Sequence, residues 1–146
     1  ATSSVDYVDA VERRHAHTRR LSTFFESYDL LLTPTLATPP PTIGEFELPV
    51  ALARAADALL KTRTARFLKY TKIVDDMVDK NLNWVPYTQL ANLTGRPAIS
   101  LPLHWTPEGL PMGVQFVAPL AGESLLVKLA AQLEQAMPWA GRVAPI

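Results

Sequence analysis

Thirteen prolines in 146 residues, bunched rather than scattered, decide where this chain can hold regular structure. Each removes a backbone donor and fixes φ, so helices and central strands must fall between the bunches. Pro34, Pro39, Pro40, Pro41 and Pro49, with Gly44 among them, mark a Pro-rich loop over 34–49. Pro39-Pro40-Pro41 is expected to run locally as polyproline II. A loop of this length inside a domain is usually functional or a linker.

Between the bunches the apolar spacing is legible. Tyr7, Val11, Thr18, Leu21, Phe25 and Tyr28 recur at three- and four-residue intervals, which predicts a helix over 3–28. Ser3 is its expected N-cap, with Asp6, Asp9 and Glu12 near the positive end of the helix dipole. Arg14 falls on the apolar stripe, so its stem snorkels or the helix rests there on something polar. Leu30-Leu31-Leu32-Thr33, stopped by Pro34, reads as a strand whose adjacent leucines point to both faces. Such a strand calls for cover on both sides, as in a layered sheet.

Residues 50–80 hold no Gly or Pro. Leu52, Ala56, Leu59, Arg63, Phe67, Tyr70, Val74 and Met77 keep a helical stripe, satisfied by one long helix or two shorter ones. Asp57 with Lys61, Lys72 with Asp76, and Asp76 with Lys80 are spaced for a solvated outer face. Pro86 to Leu93 suits a short helix ended by Gly95. Ala98 to His104 is a strand with Ile99, Leu101 and Leu103 facing one way. Thr106-Pro107-Glu108-Gly109 is a tight turn, and Gly113 to Ala118 the returning strand. Glu123 then opens a helix with Leu125, Leu126, Leu129, Leu133 and Met137 on its buried side, ended by Pro138. The length is that of a single domain, 1–146, with 48% hydrophobic residues to supply a core.

Composition closes off several functions. Fourteen Lys and Arg balance fourteen Asp and Glu, leaving no basic excess for nucleic acid. No apolar run approaches the ~18 residues of a membrane span, and no signal peptide is evident, so no membrane association and a cytoplasmic setting are expected. There is no cysteine, hence no disulfide framework or thiolate metal site. His15 and His17 are two apart and point to different sides of a helix, and His104 is alone at a strand end, so no metal is expected. Asp75, Asp76 and Asp79 read as a solvated face balanced by Lys72 and Lys80. None of the serines sits in a G-x-S-x-G elbow, and Ser100, inside a strand, is expected to bond locally. The six glycines never cluster into a phosphate or dinucleotide loop, so no cofactor is expected. No complete catalytic constellation can be assembled: the catalytic set is none.

Three stretches carry a resemblance. They are Tyr28-Asp29-Leu30-Leu31-Leu32-Thr33-Pro34-Thr35, then Gln89-Leu90-Ala91-Asn92-Leu93-Thr94-Gly95-Arg96-Pro97-Ala98-Ile99-Ser100-Leu101-Pro102. The third is Gly109-Leu110-Pro111-Met112-Gly113-Val114-Gln115-Phe116-Val117, followed by a helix through Ala130-Ala131-Gln132-Leu133-Glu134. In this order they resemble the carboxy-terminal third of amidase signature enzymes. Pro86-Tyr87-Thr88-Gln89-Leu90-Ala91-Asn92 and the ending Trp139 to Ile146 are similar to the nylon-oligomer (6-aminohexanoate) cyclic-dimer hydrolase branch. The match is weakest from Glu45 to Asn83.

The resemblance implies an α/β fold. It would be a fragment of the amidase α/β/α sandwich, with about three strands (one buried strand plus a β-hairpin) and three to four helices. It implies hydrolysis of a linear or cyclic amide by a Ser-Ser-Lys triad in the whole enzyme. Those residues lie upstream of the part seen here, and Lys61, Lys69, Lys72, Lys80 and Lys128 are not in the family's catalytic context. The chain is therefore expected to be inactive alone. By the same resemblance, Thr33, Tyr87, Thr88 and Asn92 are the candidates to line the acyl pocket. The expected partner is the missing N-terminal portion or a second copy of the chain. The alternative reading is a non-catalytic module that self-associates or binds a partner.

Overall fold

Ser3 caps the first helix by accepting the Asp6 N–H at 3.1 Å, while the Asp6 carboxylate accepts the Ser3 N–H at 3.0 Å. This reciprocal box satisfies two donors that a helix start leaves orphaned. The backbone bond from Ser3, and then its side chain, hold the Asp6 carboxyl below its ordinary value. In the computed structural model, which describes residues 3–45, 47, 50–61 and 73–145, helix α1 runs Ser4–Phe24.

The predicted helix over 3–28 therefore ends earlier. Phe25 is its C-cap, and Phe24 stacks on Tyr28 with ring centroids 4.6 Å apart across the turn that follows. The Tyr28 N–H still bonds to the Phe24 carbonyl. Turn contacts thus carry the helical spacing beyond the helix itself. Only Leu21 of α1 is buried; Tyr7 and Tyr28 are exposed. The packed part of α1 rests on the short helix α4, which spans Thr88–Thr94.

Three strands follow the order β1-β3-β2, all antiparallel, with β1 at Leu31–Pro34, β2 at Ala98–Trp105 and β3 at Pro111–Val117. The Thr106-to-Gly109 turn closes the hairpin: the Gly109 N–H bonds to the Thr106 carbonyl, and Gly109 has φ +84°. The β2–β3 register shifts between Leu101 and His104. Pro102 stands there, with no N–H to offer the ladder.

Alternation sorts the sheet. Phe116, Val114, Leu101 and Ile99 share one face, and helix α5 (Glu123–Ala136) packs on it through Leu126, Leu129, Ala130 and Leu133. Leu125 and Met137 do not join this stripe and are exposed. Leu125 lies about 100° around the helix from Leu126. Met137 is past the last helical residue, at φ −136° and ψ 75°. Strand β1 also differs from expectation, because it is an edge strand on which half-buried and exposed residues alternate. Leu32 is 61% exposed, so one of its faces finds no cover among the described residues.

Two more helices, α2 (Val50–Lys61) and α3 (Ile73–Trp84), occupy the Gly- and Pro-free stretch. Residues 62–72, with Arg63, Phe67, Tyr70 and Lys72 of the predicted pattern, lie outside the described residues. So do the side chains of Asp57, Asp75 and Asp76. The loop after β1 is tied back by the Ala37 N–H on the Trp84 carbonyl. Helix α4 ends as predicted at Gly95, with φ 66° and ψ 27°. A Cβ at Gly95 meets nothing within 4 Å, so only backbone strain opposes a side chain. Gly95→Ala is expected to destabilise by about 1 kcal/mol, read from a denaturant midpoint. An unchanged midpoint would show that the left-handed cap carries no strain.

Candidate functional site

The sheet face away from α5 is apolar at one end, where Leu31, Ala98 and the fully buried Val117 stand in register, and polar beyond it. In register, Thr33 of β1 and Ser100 of β2 both stand opposite Gln115 of β3. Thr35 continues the row, its N–H on the Gly113 carbonyl at 2.9 Å. Three hydroxyls and one carboxamide therefore share a face because the strands alternate with period two. The opposite parity carries the cluster packed on α5.

Gln115 organises this face. It is buried, and its Nε2 donates to Thr33 Oγ1 at 3.3 Å and to the Tyr87 carbonyl at 3.4 Å. One amide thus ties the central strand to β1 and to the turn that enters α4. Buried amides are retained where both hydrogens find acceptors, and these do. Thr35 and Ser100 pair their hydroxyls at 2.5 Å above Gly113. The local bond expected for Ser100 is not the one that forms: its hydroxyl meets Thr35, 65 residues earlier in the chain, across the sheet. No base is hydrogen-bonded to either hydroxyl among the described residues, so the pair lacks what an activated nucleophile requires.

The four sequence-predicted residues part ways. Thr33 and Tyr87 meet at Gln115. Thr88 bonds its hydroxyl to the Val85 carbonyl at 3.1 Å, in its own turn. Asn92 is exposed and lines a separate hollow with Arg14, His15 and Thr18 of α1. Sequence reasoning missed Gln115, although its signal was available: a lone amide inside an apolar strand.

It also missed Arg96. This side chain is 7% exposed, donates to Ser22 Oγ at 2.7 Å and lies 4.7 Å from the Phe25 ring centroid. Its Nε has no partner among the described residues. Arg96 pins the end of α1 to the segment entering β2. Among the described residues no group of three His, Asp or Glu could hold a metal, and no helix is long and apolar enough to cross a membrane.

Comparison with known proteins identifies the scaffold. The family model described as Amidase matches residues 1–127. The chain belongs to the amidase family. It is 37% identical over 131 residues to a Mycobacterium leprae protein named as an amidase, AmiC, covering 90% of this chain and 23% of that one. To a 6-aminohexanoate-cyclic-dimer hydrolase of Paenarthrobacter ureafaciens it is 38% identical over 115 residues, 79% of this chain and 20% of the other.

A solved 6-aminohexanoate cyclic dimer hydrolase superposes with TM-score 0.72 and 29% identity, over 97% of this chain and 26% of that one. A bacterial aryl acylamidase of the amidase signature family, at TM-score 0.60 and 21% identity over 94% and 24% of the two chains, shares the fold. The chain thus spans about a quarter of the length of these relatives, and its helices and three-stranded sheet are a fragment of the amidase α/β fold.

Proposed function

We propose that this chain is the C-terminal part of an amidase that cleaves a carboxamide or cyclic amide C–N bond, and that it is inactive by itself. The observation that carries the reading is the polar sheet face. It offers Thr33, Thr35, Ser100 and Gln115 as hydrogen-bonding groups, yet no base among the described residues touches a hydroxyl. Such a face can position a substrate or a neighbouring segment but cannot activate a nucleophile. In this reading Thr33 and Tyr87, locked together by Gln115, form part of the acyl-pocket wall, with Thr88 in the adjoining turn, while Asn92 lies apart in the hollow against α1. The setting of the whole enzyme is cytoplasmic, which fractionation of the native source would check.

The test is amine release from aliphatic and aryl amides and from 6-aminohexanoate cyclic dimer. The purified chain should give no turnover above buffer. Turnover that persists through repeated purification would overturn the reading. Its loss in Ser100→Ala would then name the sheet face as an independent site.

A second reading, self-association, is favoured by a specific feature. Edge strand β1 is open on one side and Leu32 is 61% exposed on it, while Val5, Tyr7 and Val8 of α1 are exposed too. Uncovered apolar edges of this kind are rarely left in water by a soluble monomer. Light scattering across a dilution series should show a dimer, with an interface above the ~1,200 Å² of stable association. A single 16.1 kDa species that binds no hydrophobic dye would reject self-association.

A further inference from the structure

Arg14 occupies a position on α1 that the packing stripe would give to an apolar residue, and the structure shows what it faces. A groove of about 450 Å³ runs between α1 and α4, with Ala10, Arg13, Arg14 and His17 on one wall. Pro86, Gln89, Leu90, Leu93 and Thr94 form the other. Its walls are divided by chemistry: Arg13, Arg14 and His17 on the α1 side, Pro86, Leu90 and Leu93 on the other. Leu93 is 53% exposed, so the apolar part is open to a ligand.

The charge lining this groove is one-sided, with Arg13 and Arg14 and no carboxylate. The whole chain is formally neutral, yet residues 13–25 and 81–107 together hold five arginines and no carboxylate. The α1 carboxylates Asp6, Asp9 and Glu12 precede this stretch and do not line the groove. Four of the arginines are on α1 and the fifth, Arg96, is buried behind it on Ser22 and Phe25, both neutral partners. Among the described residues Arg13 and Arg14 make no ion pair. A low-dielectric wall beside unpaired cations focuses positive potential into the cleft. A cavity of this size falls in the range of small-molecule sites, roughly 300–1,000 Å³.

We propose that the α1–α4 groove binds an amphipathic organic carboxylate, its anionic head on Arg13 and Arg14 and its apolar body along Pro86, Leu90 and Leu93. His17 and Gln89 border the head and add donors. The charge complementarity selects an anion, and the apolar wall selects one carried on a hydrocarbon body. The site is independent of the polar sheet face, so it stands whether or not the amidase reading survives.

Octanoate is the probe. Titrated into isotopically labelled chain, it should shift the amide resonances of Ala10, Arg14, His17, Gln89 and Leu93 saturably, with a Kd on the order of 1 mM. Octanol, which has the body without the charge, and acetate, which has the charge without the body, should each bind at least about tenfold more weakly. Arg13→Gln with Arg14→Gln should weaken octanoate about tenfold and leave octanol unchanged. Both arginines are exposed, and retained circular dichroism confirms that the variant folds. Leu93→Ser gives a second variant, expected to weaken octanoate and octanol alike.

Equal binding of octanol or of acetate would overturn the proposal, as would shifts located elsewhere or no saturation below the micelle threshold. A synthetic acidic amphipathic peptide is the remaining arm. If it shifts the same resonances at about a hundredth of the octanoate concentration, the groove is a protein-docking surface and the small-ligand proposal fails.

Discussion

Leu126→Ala is expected to destabilise the chain by about 2–5 kcal/mol, the range for truncating a buried leucine. Leu126 is 4% exposed and sits in the core cluster with Leu101, Phe116 and Ala118. It is the one buried residue of α5, so the cavity opens where the helix meets the sheet. Around the cluster stand Ile99 and Val114 of the sheet and Leu129, Ala130 and Leu133 of α5, each held in its own strand or helix, so the void closes only if an element moves. A loss of this size is a large part of the ~5–15 kcal/mol that holds a domain together. Leu125→Ala is the internal control. At 37% exposure its truncation should cost less than about 1 kcal/mol. Urea unfolding of the two variants checks this, and equal losses would mean that α5 presents a different face.

Most elements were legible because each is bounded by a residue with no alternative. Gly95 ends α4 where a left-handed residue is needed, Pro138 follows α5, and the Thr106-to-Gly109 turn joins two alternating strands. The resemblance in the three motif stretches then supplied the family. What was not legible depends on contacts distant in sequence. The edge position of β1 could not be read from Leu30-Leu31-Leu32, since a run of leucines looks the same at the centre or the margin of a sheet. Its spatial neighbour is β3, about eighty residues later.

The site divides in the same way. Thr33 and Tyr87 were named from the resemblance, but what joins them is Gln115, which sequence reasoning counted only as part of a strand motif. Thr88 carries its bond within three residues, so its local role is written in sequence terms. Asn92 faces α1, because a seven-residue helix turns successive polar residues to different sides. The same packing explains Arg14. Its stripe position was visible from the start, whereas the groove beside it exists only once α1 and α4 are placed together.

Gly113→Ala is expected to destabilise by about 1–3 kcal/mol, as overpacking of a closed site does. A Cβ there would stand 2.6 Å from Ser100 Oγ, 2.6 Å from Thr35 Oγ1 and 2.9 Å from Thr35 Cβ. Those two oxygens are already bonded to one another at 2.5 Å, so neither side chain can swing away without breaking the pair. The backbone offers no easier route. Gly113 accepts the Thr35 N–H through its carbonyl at 2.9 Å, which ties this point of the central strand to the segment after β1. The missing side chain at this position is therefore what lets the hydroxyls of β2 and of the segment after β1 meet across β3. Removing one obstacle tests the cause. Gly113→Ala combined with Ser100→Ala should recover part of the loss, since one of the two close oxygens is gone while Thr35 remains. Gly141→Ala, where a Cβ meets nothing within 4 Å, should stay within about 0.5 kcal/mol of the parent. Thermal or urea unfolding of the three variants reads the result. A Gly113→Ala chain as stable as the parent would mean that the strands separate at no cost, and that the hydroxyl pair does not hold this face of the sheet.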